Sequence, residues 1–197
     1  MENILIKIGV SSCLLGEPVR YNGGHKANQV VIDLLGDGFE VVPTCPEVAV
    51  GMGIPREPVQ LVDSNVQMAG LNPNHNLPLG IREFPVVVRM MGVESGRDWT
   101  EAMADFNSSK LKELTEQNLS GFIFKCRSPS CAIGGVHLHH EHSGEKSLTS
   151  GLFAQAFMKH FPLIPVIDEE QLQEKKLRED FIARVIEHRR VADGNRQ

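Results

Sequence analysis

The sequence has no long apolar run. No window approaches the roughly 18 consecutive apolar residues that a bilayer span requires, and Lys7 interrupts the N-terminal Ile4 to Val10 stretch, which carries no cleavage-site pattern. The expectation is a cytoplasmic protein with no membrane partner. Cysteine is scarce, with 4 in 197 residues, too few for a disulfide scaffold. In a reducing compartment, thiols that are not simply buried are more often metal ligands or catalytic groups. Basic residues are outnumbered, 20 Lys and Arg against 25 Asp and Glu for a net charge of −5, which disfavours a long nucleic-acid groove while leaving room for a local contact to a phosphate. There is no G-x-G-x-x-G spacing for a dinucleotide, no internal repeat and no interdomain linker. What remains, at 41% hydrophobic and 23% charged, is one globular domain with a full core and a short appendage.

Hydrophobic periodicity orders that domain. Ile4 to Val10 reads as a buried strand ending in Ser11-Ser12-Cys13. Ala27, Val30, Val31, Leu34 and Leu35 form the stripe of an amphipathic helix, with Gly36 placed to cap its C-terminus. Phe39 to Pro43 is a second strand running into Thr44-Cys45-Pro46-Glu47, so the opening is a βαβ unit with a right-handed crossover. From Val48 to Pro85 the pattern breaks into prolines, glycines and short apolar runs, an excursion expected to hold an edge hairpin between Val59–Val62 and Val86–Met90 and to act as a lid or a surface insertion. Asp98 with Glu101 suits a capping box for a helix to about Asn118. Gly121 to Lys125 is a third strand, followed by a cysteine loop and a His-rich loop. A helix near Ser150 to His160, a strand at Leu163 to Ile167 and a final exterior helix capped by Asp168 and Gln171 complete the chain. The fold class is α/β, a Rossmann-like open parallel sheet flanked by helices. Residues 1–167 form the domain and residues 168–197 a C-terminal helical extension.

In such a sheet, ligands bind outside the carboxyl ends of the strands. Cys13, Cys45 and the Cys126/Cys131 pair each follow a strand, so three loops deliver thiols to one edge. Three thiolates at one point can hold zinc or an iron-sulfur cluster, since both favour sulfur ligands. Four-thiolate ligation closes a cluster for electron transfer, whereas three leave one iron open to substrate. Spacing alone leaves open whether Cys126 or Cys131 is the third ligand.

The motifs Ser11-Ser12-Cys13-Leu14-Leu15-Gly16, Val19-Arg20-Tyr21-Asn22-Gly23-Gly24, Cys45-Pro46-Glu47, Pro55-Arg56-Glu57-Pro58 and Lys125 with Ser128-Pro129-Ser130-Cys131 are similar, in this order, to those of the thiouracil desulfidase family, long known as a domain of unknown function. The resemblance spans about Ile4 to Val166. It implies a [4Fe-4S] cluster held by Cys13, Cys45 and Cys131, with Cys126 outside the pattern. It also implies a fourth iron that takes sulfur from a thiolated pyrimidine of the 2-thiouracil type, which becomes the oxo base as sulfide is released. Asn22, Val50-Gly51-Met52, Gln60 and Ala132 depart from the family's usual residues, and none of them is a proposed ligand.

Expelling sulfur needs a proton carrier beside the substrate. Glu47, two residues past Cys45, is the carboxylate that sequence places there, and it serves as the candidate general acid/base or as a partner of Arg56. Ser128 is the second catalytic candidate. Ser130 is a substrate-binding candidate, although Ser-Pro steps also simply form turns. Arg20 and Tyr21 can clamp or stack on a base. The partner expected is a small thiolated nucleobase, with no assignment of oligomeric state. His137, His139, His140 and His142 suggest either a second metal site or an exposed loop. Two other readings remain open: a non-catalytic iron-sulfur or zinc sensor or accessory protein, and a metal-free thiol enzyme that forms a persulfide, for which Arg127 beside Cys126 is the supporting feature.

Overall fold

The computed structural model describes residues 6–36, 38–63, 87–141 and 143–194. Four strands, β1 (Ile6–Ser11), β2 (Phe39–Thr44), β5 (Gly121–Phe124) and β8 (Val166–Asp168), form a wholly parallel sheet in the order β2-β1-β5-β8. Every residue of β5 is buried, as a central strand covered on both faces requires. On one face Ile8, Val10 and Ile123 meet Val31 and Leu35 of α1 (Gln29–Leu35) and Phe181 and Val185 of α5 (Lys175–Gly194). On the other, Phe122 and Phe124 meet Leu111 and Leu114 of α3 (Thr100–Gln117) and Phe153 and Phe157 of α4 (Leu152–His160). The Phe122 ring fits because its cross-strand neighbour is Gly9, where a Cβ would stand 2.2 Å from the ring. The expected Rossmann-like sheet is therefore present, and the chain forms one domain. The segment after β8 shares its core through Leu172, Phe181 and Val185.

A second four-stranded sheet, absent from the sequence reading apart from its first hairpin, has the order Val88–Gly92 (β4), Val59–Asp63 (β3), Val136–His140 (β6), Lys146–Thr149 (β7). β3 (Val59–Asp63) pairs antiparallel with β4 (Val88–Gly92), the expected hairpin. The remainder of the predicted excursion, residues 64–86, lies outside the described residues, and so does any lid within it. β3 also pairs parallel with β6 (Val136–His140), which pairs antiparallel with β7 (Lys146–Thr149). The His-rich run is thus a strand and not a loop, because Val136 and Leu138 alternate inward while His137 faces out. His140 shares a hydrogen bond with buried Asp63 (Nδ1 to Oδ2, 2.8 Å) and another with Ser147 (Nε2 to Oγ, 2.9 Å). His142 lies outside the described residues.

Three helix ends differ from expectation. Gly36 keeps helical angles, and the left-handed turn falls on Gly38 (φ 99°). Asp98 Oδ1 accepts from the Thr100 N–H and hydroxyl, so the cap is local and does not involve a box with Glu101. Asp168 Oδ1 accepts from the N–H groups of Glu170 and Gln171, opening a short 3-10 turn (Gln171–Gln173), and α5 begins only at Lys175. Among the described residues no helix is long and apolar enough to cross a membrane.

Candidate functional site

β1 and β5 are neighbours whose onward connections leave in opposite directions, to β2 and to β8, and this is the switch point at which loops diverge and leave a crevice. The crevice is a cavity of about 420 Å³. β1 runs into a 3-10 turn (Ser12–Leu15) carrying Cys13, ended by Gly16 in the left-handed region (φ 95°). The Cys13 carbonyl accepts the Lys26 N–H at 2.8 Å, which folds the following loop back over the strand end. β2 delivers Cys45 to the start of the short helix α2 (Pro46–Ala49), with Glu47 in its first turn. β5 delivers Lys125, then the loop 126–131. Cys13, Cys45, Cys126 and Cys131 all line the cavity, with Glu47, Arg56, Arg20, Tyr21, Lys125 and Ser128.

The loop bearing Cys131 is gripped by the N-terminus of α4. The Leu152 N–H donates to the Pro129 carbonyl at 3.0 Å, and those of Phe153 and Ala154 donate to the Ser130 carbonyl at 2.9 and 3.1 Å. Gly151 N–H donates to the Ala132 carbonyl at 2.8 Å. Helix-end donors that would otherwise lack partners are therefore satisfied by the site loop itself. The approach requires glycine at 151, where a Cβ would lie 2.4 Å from the Ser130 carbonyl carbon. Ser128 Oγ accepts the N–H groups of Ser130 and Cys131 at 3.3 and 3.2 Å, which closes the turn.

All four thiols are free. Burial and the neighbouring Cys45 push the Cys13 thiol up to about 11, against the pull of Lys125 and Arg20. Burial likewise raises Cys45, and it raises Cys131 well above the ordinary thiol range, to which Glu47, Cys45 and Cys13 add. These three thiols thus stand within electrostatic reach of one another. Cys126 has other partners. Its Sγ donates to Glu169 Oε1 at 3.0 Å and accepts from Lys125 Nζ at 3.2 Å, and burial with the Glu169 contact raises it. Among the described residues no three His, Cys, Asp or Glu side chains close on a single-ion point. One thiol on each of three separated turns suits a multi-iron cluster, in which each thiolate binds a different iron.

Glu47 has both oxygens engaged. Oε1 accepts from Ser130 Oγ at 2.8 Å, while Oε2 accepts from Arg56 Nε at 3.1 Å and Nη2 at 2.6 Å. Arg56, whose side chain is 5% exposed, also donates to the carbonyls of Val19 and Gly53, so one guanidinium ties three segments around the carboxylate. Ser130 is fully buried and faces Glu47 behind the cavity wall, whereas Ser128 lines the wall itself. Arg20 stacks over Tyr21 at 5.4 Å in the wall. Glu169, just past the end of β8 and 7% exposed, obeys the same strand-end rule as the cysteines, although no motif in the sequence marks it. It pairs with Lys125 at 2.5 Å.

The chain resembles known proteins over most of its length. The family model for 2-thiouracil desulfurase matches residues 8–169. A Bacillus subtilis (strain 168) relative, the uncharacterized protein YbbK, is 32% identical over 145 residues, covering 74% of this chain and 85% of the relative. A solved structure described as the [4Fe-4S]-dependent thiouracil desulfidase TudS superposes with a TM-score of 0.61 at 28% identity, covering 89% of this chain and 98% of the other.

Proposed function

Because this chain belongs to the 2-thiouracil desulfurase family, we propose that it removes sulfur from small thiolated pyrimidine bases, with a [4Fe-4S] cluster held by Cys13, Cys45 and Cys131. The observation that carries this reading is the placement of those three thiols, from three strand ends, in the wall of one cavity. The similar solved structure described as [4Fe-4S]-dependent supports it. When bound, a cluster with three protein thiolates leaves one iron free to act as a Lewis acid toward a thiocarbonyl sulfur.

The net conversion is hydrolytic: water supplies the oxygen of the new carbonyl, the C–S bond breaks with its electron pair going to sulfur, and both water protons end on sulfide. No oxidant or reductant is consumed. Glu47 is the group that takes the water proton and returns it to sulfur. Oε2 is filled by the two Arg56 donors, while Oε1, which accepts from Ser130 alone, keeps a second lone pair for that proton. Arg56 and Ser130 fix the orientation of the carboxylate. Ser128, whose oxygen accepts two backbone N–H groups, retains its hydroxyl hydrogen to donate into the cavity. Arg20 and Tyr21 form the wall against which a flat ring would rest.

The persulfide alternative needs an activated thiolate, and burial with Glu169 pushes the Cys126 thiol the other way. The test is iron and sulfide content after oxygen-free preparation. Cys13→Ala, Cys45→Ala and Cys131→Ala are each expected to abolish the cluster, while Cys126→Ala keeps it. The reverse pattern would overturn the ligand assignment.

A further inference from the structure

On the other side of β1 from Cys45 and Glu47, a second charged group stands in the cavity wall. Lys125 Nζ donates to Glu169 Oε1 at 2.5 Å, to the Cys126 carbonyl at 2.9 Å and to Cys126 Sγ at 3.2 Å. Glu169 is held in turn: Oε2 accepts the Cys126 N–H at 2.7 Å and Oε1 accepts from Cys126 Sγ at 3.0 Å. Lys125 and Cys126 line the cavity.

Two of the three ammonium hydrogens therefore point at oxygen. The third rests on sulfur, a weak acceptor that an entering oxygen or nitrogen can displace. Burying an ion pair, here with side chains 15% and 9% exposed, is a poor way to gain stability, because its desolvation offsets its attraction. An ammonium pre-set in a cavity wall is, by contrast, what stabilises negative charge that develops on a substrate. The ammonium stands in the wall of the same cavity as Cys13, Cys45 and Cys131.

We propose that Lys125 is a further catalytic residue, which turns the hydrogen resting on Cys126 Sγ to a ring nitrogen or exocyclic oxygen of the thiolated base, with Glu169 as its positioning residue. The inference rests on the desulfidase reading above. As the water oxygen bonds to the ring carbon and its proton passes to Glu47, the C=S π pair moves onto sulfur and the conjugated ring. Lys125 stabilises that charge by hydrogen bonding and keeps its own proton. The C–S bond then breaks with its pair on sulfur, and the protons of Glu47 and of the new hydroxyl pass to sulfide.

The test uses the whole chain prepared without oxygen, with 2-thiouracil as the probe, and compares Lys125→Met, Lys125→Arg and Glu169→Gln. Iron content, kcat and KM are read for each. Lys125→Met is expected to keep its iron, to lose about a hundredfold in kcat, the usual consequence of removing one preorganised donor, and to hold KM within about threefold. Lys125→Arg is expected to restore part of the loss, and Glu169→Gln to lose about tenfold in kcat at unchanged iron. Full iron with kcat within about twofold in Lys125→Met would overturn the proposal, and so would loss of iron in that variant together with wild-type kcat in Glu169→Gln. A wild type that holds iron but releases no sulfide from thiolated bases would overturn the desulfidase reading and this inference together, whereas an active wild type indifferent to both substitutions would overturn this inference alone.

Discussion

Gly151→Ala perturbs the site without touching any group proposed to do chemistry. The added Cβ would stand 2.4 Å from the Ser130 carbonyl carbon, 2.5 Å from its oxygen and 2.7 Å from the Cys131 nitrogen. Ordinary contact begins at about 3.5 Å, so the peptide before Cys131 must retreat by about 1 Å. All three atoms are backbone, and no rotamer change relieves them. The peptide is also tied to α4 through the Phe153 and Ala154 N–H groups. Overpacking of this kind costs about 1–3 kcal/mol, which for a chain of this length lowers the melting temperature by about 2–4 °C per kcal/mol, or about 2–12 °C in all. Because the shifted atom is the Cys131 nitrogen, iron per chain should fall as well. Gly134→Ala is the control, since a Cβ there meets nothing within 4 Å, and it should leave melting within about 1 °C and iron unchanged. Thermal melts and iron analysis of the two variants decide the matter. Wild-type melting and full iron in Gly151→Ala would refute the claim that this close approach seats Cys131.

Three further outcomes are expected. Glu47→Gln should keep iron and lose turnover, and an unchanged rate would remove Glu47 from the chemistry. Ser130→Ala removes a buried hydrogen bond to a carboxylate, which should cost about 1.5–3 kcal/mol in urea unfolding and lower kcat with little change in KM; wild-type stability would show that the contact carries no weight. Burial pushes the Glu169 carboxyl up, but hydrogen bonds from Cys126 and Lys125 outweigh it and leave the group below its usual value of 4.5. A lowered carboxyl contributes stability that is full above the unfolded value and lost as pH falls through the folded one, so wild type should lose stability below about pH 4.5 by a component that Glu169→Gln lacks. Parallel acid-unfolding curves for the two would contradict this.

The parallel sheet was legible in the sequence because its strands are short, buried and flanked by turn residues, and because the Val30, Val31, Leu34, Leu35 stripe marks the crossover helix. The strand-end rule then placed Cys13, Cys45, Glu47 and the 126–131 loop at one edge. What the sequence hid follows from its own ambiguities. Alternation in Val136-His137-Leu138 was masked by the unusual density of histidine, so β6 read as loop. Burial could not be told from substrate contact at Ser130, whose hydroxyl turns to Glu47 behind the wall. The two candidate third thiols, equal by spacing, are distinguished by their surroundings, Cys131 by Cys13 and Cys45, Cys126 by Lys125 and Glu169. Glu169 carries no signal of its own, because the acidic run Asp168-Glu169-Glu170 has the composition of a helix start, although the strand end places it at the same edge as the cysteines.

The central claim is that three strand-end thiols hold a cluster that desulfurates a thiolated base. Its most direct test is to purify the protein without oxygen, count iron and acid-labile sulfide per chain, add 2-thiouracil, and measure sulfide and uracil together. About four iron and four sulfide per chain, with sulfide and uracil released in equal amounts, is the expected result. A colourless protein carrying zinc, or a full cluster with neither product formed from any thiolated base, would contradict it.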